Sequence, residues 1–285
     1  MTRKRIVLAF LALTFLSVGS FVLYGWLGLP SRERVRALKT TNPQTTSLME
    51  QRRREAERRG NKPARVQTWI PLSRIARPLI QAVVVAEDGR FFDHKGVDWD
   101  AIQESARSNW QRRSFARGGS TLTQQLAKNL FFTTARTPLR KLQELVAARW
   151  LEEDLGKQRI LELYLNLIEW GDGVYGCEAA AQRYYGKSAS ALDVSEAAGL
   201  AAIIPAPRRI NPLVDPDRYA RAQKRVLALL AQAGYSKGAV SGLGSAPVPP
   251  PEVAPEEEAD EEPPTAPETP LPSPEPTPTP SGGLQ

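Results

Sequence analysis

Two acidic side chains, Glu87 and Asp88, close the apolar run Val83–Ala86 and open the stretch Glu87-Asp88-Gly-Arg-Phe91-Phe92-Asp93-His94-Lys-Gly96. A carboxylate at the buried end of a helix is desolvated, which raises its proton affinity toward the range a general base or acid needs. Spacing leaves a second reading open, in which one of the acids caps a turn and His94 is a hydrogen-bonded structural histidine. A second group follows at Gly118-Gly119-Ser120-Thr121-Leu122-Thr123-Gln124-Gln125 and Lys128-Asn129. A Gly-Gly pair leading into a Ser/Thr-capped helix leaves backbone N–H groups directed at whatever lies before it, an arrangement suited to anions. Gln124 and Lys128 are four apart and share one helix face, which joins amide donors to a fixed charge. The G-x-x-x-x-G-K-[ST] spacing is missing, so no nucleotide is implied. A plain capped helix with a polar face accounts for the same residues. The third group, Arg140, Lys141 and Glu144, is spaced equally well for an intrahelical ion pair worth about 0.2–0.5 kcal/mol. In the fourth, Lys157-x-x-Ile160-Leu161-x-x-Tyr164-Leu165-Asn166, the residues Ile160, Leu161 and Leu165 read as core, and the Gly- and aromatic-rich Glu169–Gly176 follows.

The elements that must position these residues are helical. Between Val66 and Gly234 helix starts are signalled at Asp98, at Thr137-Pro138, at Asp193 with Glu196 three residues on, and at Asp215-Pro216. Gly234 closes the last helix behind the apolar stripe Val226, Leu227, Leu229 and Leu230. No convincing period-two run appears, so the expected fold class is mainly α. Five segments follow: a basic head 1–5, a transmembrane anchor 6–29, a polar stalk 30–66, a catalytic domain 67–244 and a disordered Pro/Glu-rich tail 245–285. No charged side chain occurs from Ile6 to Pro30, about 23 apolar residues that can cross ~30 Å of hydrocarbon. That run is longer than the about 7–15 residues of a cleaved signal core. Basic residues flank it on both sides, so charge does not decide its orientation. In the stalk, Glu50–Arg59 alternates Arg and Glu at helical spacing, as in a solvated helix laced with ion pairs or a segment attracted to anionic lipid. The tail holds 14 of the 24 prolines and lacks the apolar content to offset its ordering entropy.

Composition narrows the chemistry. One cysteine, Cys177, excludes an internal disulfide and a cysteine-based cluster, and one histidine excludes a multi-histidine metal centre, leaving oxygen ligands. The net charge of +7 includes nine acidic residues after Lys237 and no basic one, so residues 1–244 carry +16. Such a bias favours an anionic partner, whether nucleic acid, phospholipid head group or pyrophosphate.

In this order the motifs E-D-x-x-F-x-x-H-x-G (Glu87–Gly96), G-x-S-T-x-T-Q-Q-x-x-K-N (Gly118–Asn129), R-K-x-x-E (Arg140–Glu144) and K-x-x-I-L-x-x-Y-L-N (Lys157–Asn166) resemble the peptidoglycan glycosyltransferases. The resemblance covers about Trp69 to Pro212, and Glu169–Lys187 is similar to the monofunctional biosynthetic transglycosylases of Gram-negative bacteria. It implies a lysozyme-like glycosyltransferase domain behind a single transmembrane helix, with the N-terminus in the cytoplasm and the domain in the periplasm at the inner membrane. The implied activity is polymerisation of lipid II into β-1,4-linked glycan with release of polyprenyl pyrophosphate. The partners implied are lipid II, the growing strand, the membrane and a cell-wall synthesis complex, with no nucleic acid. By the same resemblance Glu87 and Glu144 are the catalytic carboxylates. Ser120, Gln124, Gln125, Lys128, Arg136 and Arg140 would hold the pyrophosphate, and Glu144 could bind Mg²⁺ or Mn²⁺. No serine has a lysine three residues on, so no transpeptidase signature is present. A lysozyme-like glycan-cleaving transglycosylase and a non-catalytic membrane-anchored scaffold are the alternatives.

Overall fold

A computed structural model describes residues 3–112, 119–135 and 137–235. Arg136 and the tail expected at 245–285 lie outside the described residues. The helices are α1 (Arg3–Leu27), α2 (Arg32–Ala37), α3 (Ser47–Arg58), α4 (Arg77–Glu87), α5 (Trp99–Arg112), α6 (Leu122–Phe131), α7 (Pro138–Asp154), α8 (Lys157–Leu167), α9 (Cys177–Tyr185), α10 (Val194–Ile203) and α11 (Pro216–Gln232). Among the described residues α1 is the one helix long and apolar enough to cross a membrane. Its Phe15, Leu16 and Tyr24 are largely exposed, as side chains solvated by lipid would be.

Local signals set the boundaries of the helices after residue 66. Thr137 caps α7 by accepting the Arg140 N–H at 3.2 Å, with Pro138 in the first turn. Asp193 and Glu196 form a reciprocal capping box on α10, and Asp215 caps α11 ahead of Pro216. α10 packs against α4 and α11. Its run of small side chains allows the close approach, and a Cβ on Gly199 would overlap the hydroxyls of Tyr185 and Tyr219. α6 packs on α7 and α8 beside this centre.

The sequence shows no strand, yet β1 (Val66–Gln67), β2 (Glu169–Gly171) and β3 (Val174–Tyr175) form a small sheet in the order β1-β3-β2. β1 is parallel and β2 antiparallel to β3. Two or three residues are too few for a period of two to be visible. The β2–β3 turn needs a glycine at 173, where φ is +71° and a Cβ would fall 2.6 Å from the Ala64 carbonyl.

Residues 30–66, expected as a polar stalk, instead supply part of the core. Val35, Leu38 and Met49 are buried, α2 rests on α7 and α3 on α6. The charges of α3 have distant partners that its local pattern hides. Arg52 donates from Nε and Nη2 to Glu169 Oε2 at 3.1 and 3.0 Å. Gln51 exchanges two hydrogen bonds with Thr134, at 2.6 and 2.9 Å. Burial pushes the Glu169 carboxyl up, and Arg52 pulls it back. Arg52→Ala should therefore destabilise the fold by roughly 3–5 kcal/mol near pH 8, because it strands a buried charge. A carboxyl whose folded titration is raised costs stability as pH rises through that range, so the deficit should shrink toward about pH 5. Thermal melts at the two pH values check this, and equal deficits would exclude the charge as the cause.

Candidate active site

Glu87 is the last residue of α4, whose Leu79, Ala82 and Val83 are fully buried. The carboxylate thus emerges from the core only at the helix tip. Burial pushes its proton affinity above the usual carboxylate range; the Gln125 hydrogen bond and the Lys128 charge oppose this, while Asp88 adds to it. Gln125 Nε2 donates to Glu87 Oε2 at 2.8 Å, and Tyr164 Oη donates to Gln125 Oε1 at 2.9 Å. Tyr164 is fully buried and its phenol is pushed well upward by that burial, so it remains a donor. A fixed donor at Oε1 turns the amide NH₂ of Gln125 toward Glu87.

Asp88 turns the other way. Its Oδ2 accepts the Leu122 N–H at 2.9 Å from the start of α6, and its oxygens lie 3.0 Å from His94 Nε2. His94 Nδ1 accepts the Gly96 N–H at 3.2 Å, which puts the imidazole proton on Nε2. The Gly96 carbonyl accepts Thr121 Oγ1 at 2.7 Å and Gln124 Nε2 at 3.4 Å. Gly96 itself has φ +89° and sits against the Ala148 carbonyl, 3.1 Å from where a Cβ would be. Asp88 and His94 thereby fasten the loop after α4 to α6 and α7, and Glu87 alone of the acid pair reaches outward.

The cations converge at the start of α7. Lys141 Nζ donates to Ser120 Oγ at 2.8 Å and Gln124 Oε1 at 3.0 Å, and stands 3.3 Å from Glu144 Oε2. The Arg140 guanidinium meets the other Glu144 oxygen, and Glu144 is buried between the two cations. Burial first, then the charges of Lys128 and Arg140, lower the Lys141 ammonium to about 8. Lys128 is thus felt by both Glu87 and Lys141. A carboxylate of raised proton affinity can take a proton from a hydroxyl, and a group of partly buried cations can stabilise an anion formed nearby.

A family model described as Transglycosylase matches residues 54–231, more than half of the chain. The chain belongs to the transglycosylase family. It is similar to the biosynthetic peptidoglycan transglycosylase of Methylobacillus flagellatus, at 54% identity over 140 residues, which cover 49% of this chain and 61% of that relative. The protein of the same name in Nitrosospira multiformis is 42% identical over 192 residues, 67% of this chain and 84% of the relative. That of an Azoarcus species is 46% identical over 187 residues, 65% and 80%. The sequence motifs and the mainly helical fold therefore agree with the peptidoglycan glycosyltransferase reading.

In this transglycosylase the sequence-predicted residues fall in two groups. Gln125 belongs with Glu87, whereas Ser120, Gln124, Arg140 and Glu144 surround Lys141, and Lys128 acts on both groups through its charge. Arg136 lies outside the described residues. Two participants carried no role in the sequence reading: Lys141, beside Arg140 in its motif, and Tyr164, in the fourth motif. Their membership of those motifs was the only available signal. Glu144 does not fit Mg²⁺ or Mn²⁺ in this arrangement, because its oxygens face Arg140 and Lys141 and a hard cation needs about six oxygen ligands. Asp88, His94 and Asp98 also lie close together, but the His94 Nε2 proton and the Arg90 guanidinium use their oxygens.

Gln125→Leu removes the hydrogen bond that lowers the proton affinity of Glu87. We expect kcat to fall roughly tenfold and the acid limb of the pH profile to move to higher pH. An unmoved limb would mean that Gln125 serves packing alone.

Proposed function

We propose that the protein polymerises lipid II into β-1,4-linked glycan at the periplasmic face of the inner membrane, with its N-terminus in the cytoplasm. The observation that supports this reading is that α6 links a partly buried carboxylate, Glu87, hydrogen-bonded to Gln125, with the cations Arg140 and Lys141, which Ser120, Gln124 and Glu144 hold in place. Glu87 removes the proton from the 4-hydroxyl of the acceptor sugar as that oxygen bonds to C1 of the donor. The bond from C1 to the pyrophosphate oxygen breaks on the opposite face, its electron pair leaves with polyprenyl pyrophosphate, and the α-linked centre becomes β. The leaving group already carries stable charge and needs cations more than a proton. Lys128, Arg140 and Lys141 supply them, with Ser120 and Gln124 fixing the position of Lys141. Glu144 holds Arg140 and Lys141 in place. The apolar α1 and the net +16 of residues 1–244 suit a membrane-bound anionic substrate.

The test is incubation of the detergent-solubilised protein with lipid II, which should yield glycan strands and one polyprenyl pyrophosphate per bond formed. Digestion of finished, lipid-free peptidoglycan by the same preparation would overturn the reading in favour of a cleaving enzyme.

A further inference from the structure

Between the end of α3, the start of β2 and the segment 205–209 after α10 lies an open cleft of about 470 Å³. Its size falls in the ~300–1,000 Å³ range of small-molecule sites. Arg52, Arg59, Arg208 and Arg209 surround it, Pro205 and Pro207 give it an apolar wall, and Glu169 is its buried member. No residue of α1, α6 or α7 lines it, so it is separate from the groups at Glu87 and Lys141.

Two of the arginines are engaged. Arg52 pairs with Glu55 at 2.9 Å and with Glu169 at 3.0 Å, and Arg208 pairs with Asp172 at 2.8 Å. Arg59 and Arg209 are exposed, and among the described residues their side chains have neither an ion pair nor a hydrogen bond. Both bonds from Arg52 to Glu169 go to Oε2, while the buried Oε1 has no hydrogen-bond partner. A buried acceptor left unpaired is costly, so a donor entering from the cleft is favoured there. The positive lining continues into an adjoining cavity of about 190 Å³, which shares Arg52, Arg59 and Arg208 and adds Lys62 and Arg65.

A guanidinium without a partner suits a carboxylate or a phosphate, either of which it can grip with two parallel hydrogen bonds. Glu169 decides between them. A phosphate would set more negative charge beside it, whereas a peptide offers a carboxylate to the arginines and an N–H to Oε1. α8 connects the cleft to the catalytic residues: its Tyr164 holds Gln125 at Glu87, and Glu169 lies just past its end. Lipid II carries a short peptide with free carboxylates, and each disaccharide added to a strand brings another. We propose that the cleft binds this peptide on the growing strand, with a carboxylate at Arg59 and Arg209 and an N–H at Glu169. This rests on the polymerase reading above. A strand held through its peptide stays on the protein between additions.

The experiment uses the full chain in detergent micelles and lipid-free, uncross-linked glycan strands whose peptides are intact or have been removed by an amidase, with binding read by titration calorimetry. Intact strands should bind about tenfold more tightly than stripped ones, the scale of one charge-assisted hydrogen-bonded contact. Arg209→Glu should abolish that difference, and Arg59→Ala should reduce it. Both should leave kcat for lipid II within about twofold, because neither residue belongs to the cation group at α7. Equal affinity for the two strands, or a difference that survives both substitutions, would overturn the peptide site while lipid II is still polymerised. Inorganic phosphate bound more tightly than the intact strand, and lost in Arg209→Glu, would reassign the cleft to a phosphate. No polymerisation of lipid II would overturn the polymerase reading, and with it the growing strand as the source of the peptide.

Discussion

Glu87→Gln is expected to lower lipid II polymerisation by at least about 10²-fold without weakening the fold. The substitution preserves side-chain volume, and the Gln125 amide that donates to Glu87 at 2.8 Å can donate equally to the new carbonyl. Only basicity is lost. The stability side follows from the raised proton affinity of Glu87. A carboxyl that holds its proton more tightly folded than unfolded costs stability once the pH exceeds its folded titration range. The neutral glutamine escapes that cost, so the variant should melt at the same temperature as the parent or higher at about pH 7.5, the usual trade of stability for function at a strained site. In the parent, the rate should fall as pH drops through the raised range of Glu87. Turnover of the variant near the parent level would assign the base to another group.

Legibility in the sequence follows from whether a signal is local. The caps at Thr137, Asp193 and Asp215 lie within four residues of the N–H groups they satisfy, so type and spacing suffice to place the starts of α7, α10 and α11. The apolar run before Glu87 likewise marks a helix end, and desolvation there is a matter of neighbours along the chain. The docking of α3 was hidden because the partners of Arg52 and Gln51 are 117 and 83 residues away, while the alternating Arg and Glu offered sufficient local partners. Lys141 shows the same limit. Its spacing to Glu144 suggests an intrahelical pair, and only the packing of α6 on α7 brings Ser120 and Gln124 to its ammonium. The Asp88–His94 lock was half legible: His94 could be read as structural, but its bond to the acid that neighbours the candidate base requires the loop to fold back. The order of the four motifs carried what spacing could not, since it points to the family whose model matches the chain.

Lys128→Ala should lower polymerisation by about 10²–10³-fold, the scale of removing one preorganised charge from a site where negative charge develops. The rate alone would not separate a catalytic cation from a structural one, and the pH profile does. The positive charge of Lys128 lowers the proton affinity of Glu87 and also that of Lys141. Without it Glu87 takes up its proton at higher pH, so the acid limb moves up. Lys141, which otherwise loses its proton at about 8, keeps its charge further into the alkaline range, so the basic limb moves up as well. Both limbs should therefore shift in the same direction in one variant. Lys128→Arg retains the charge and should leave the limbs near their parent positions while recovering part of the rate, because a planar guanidinium cannot reproduce the geometry of a compact ammonium. Lipid II consumption measured across pH for the parent and both variants decides the matter. A slow alanine variant with unmoved limbs would make Lys128 a packing residue, and a fast one would remove it from the pyrophosphate site.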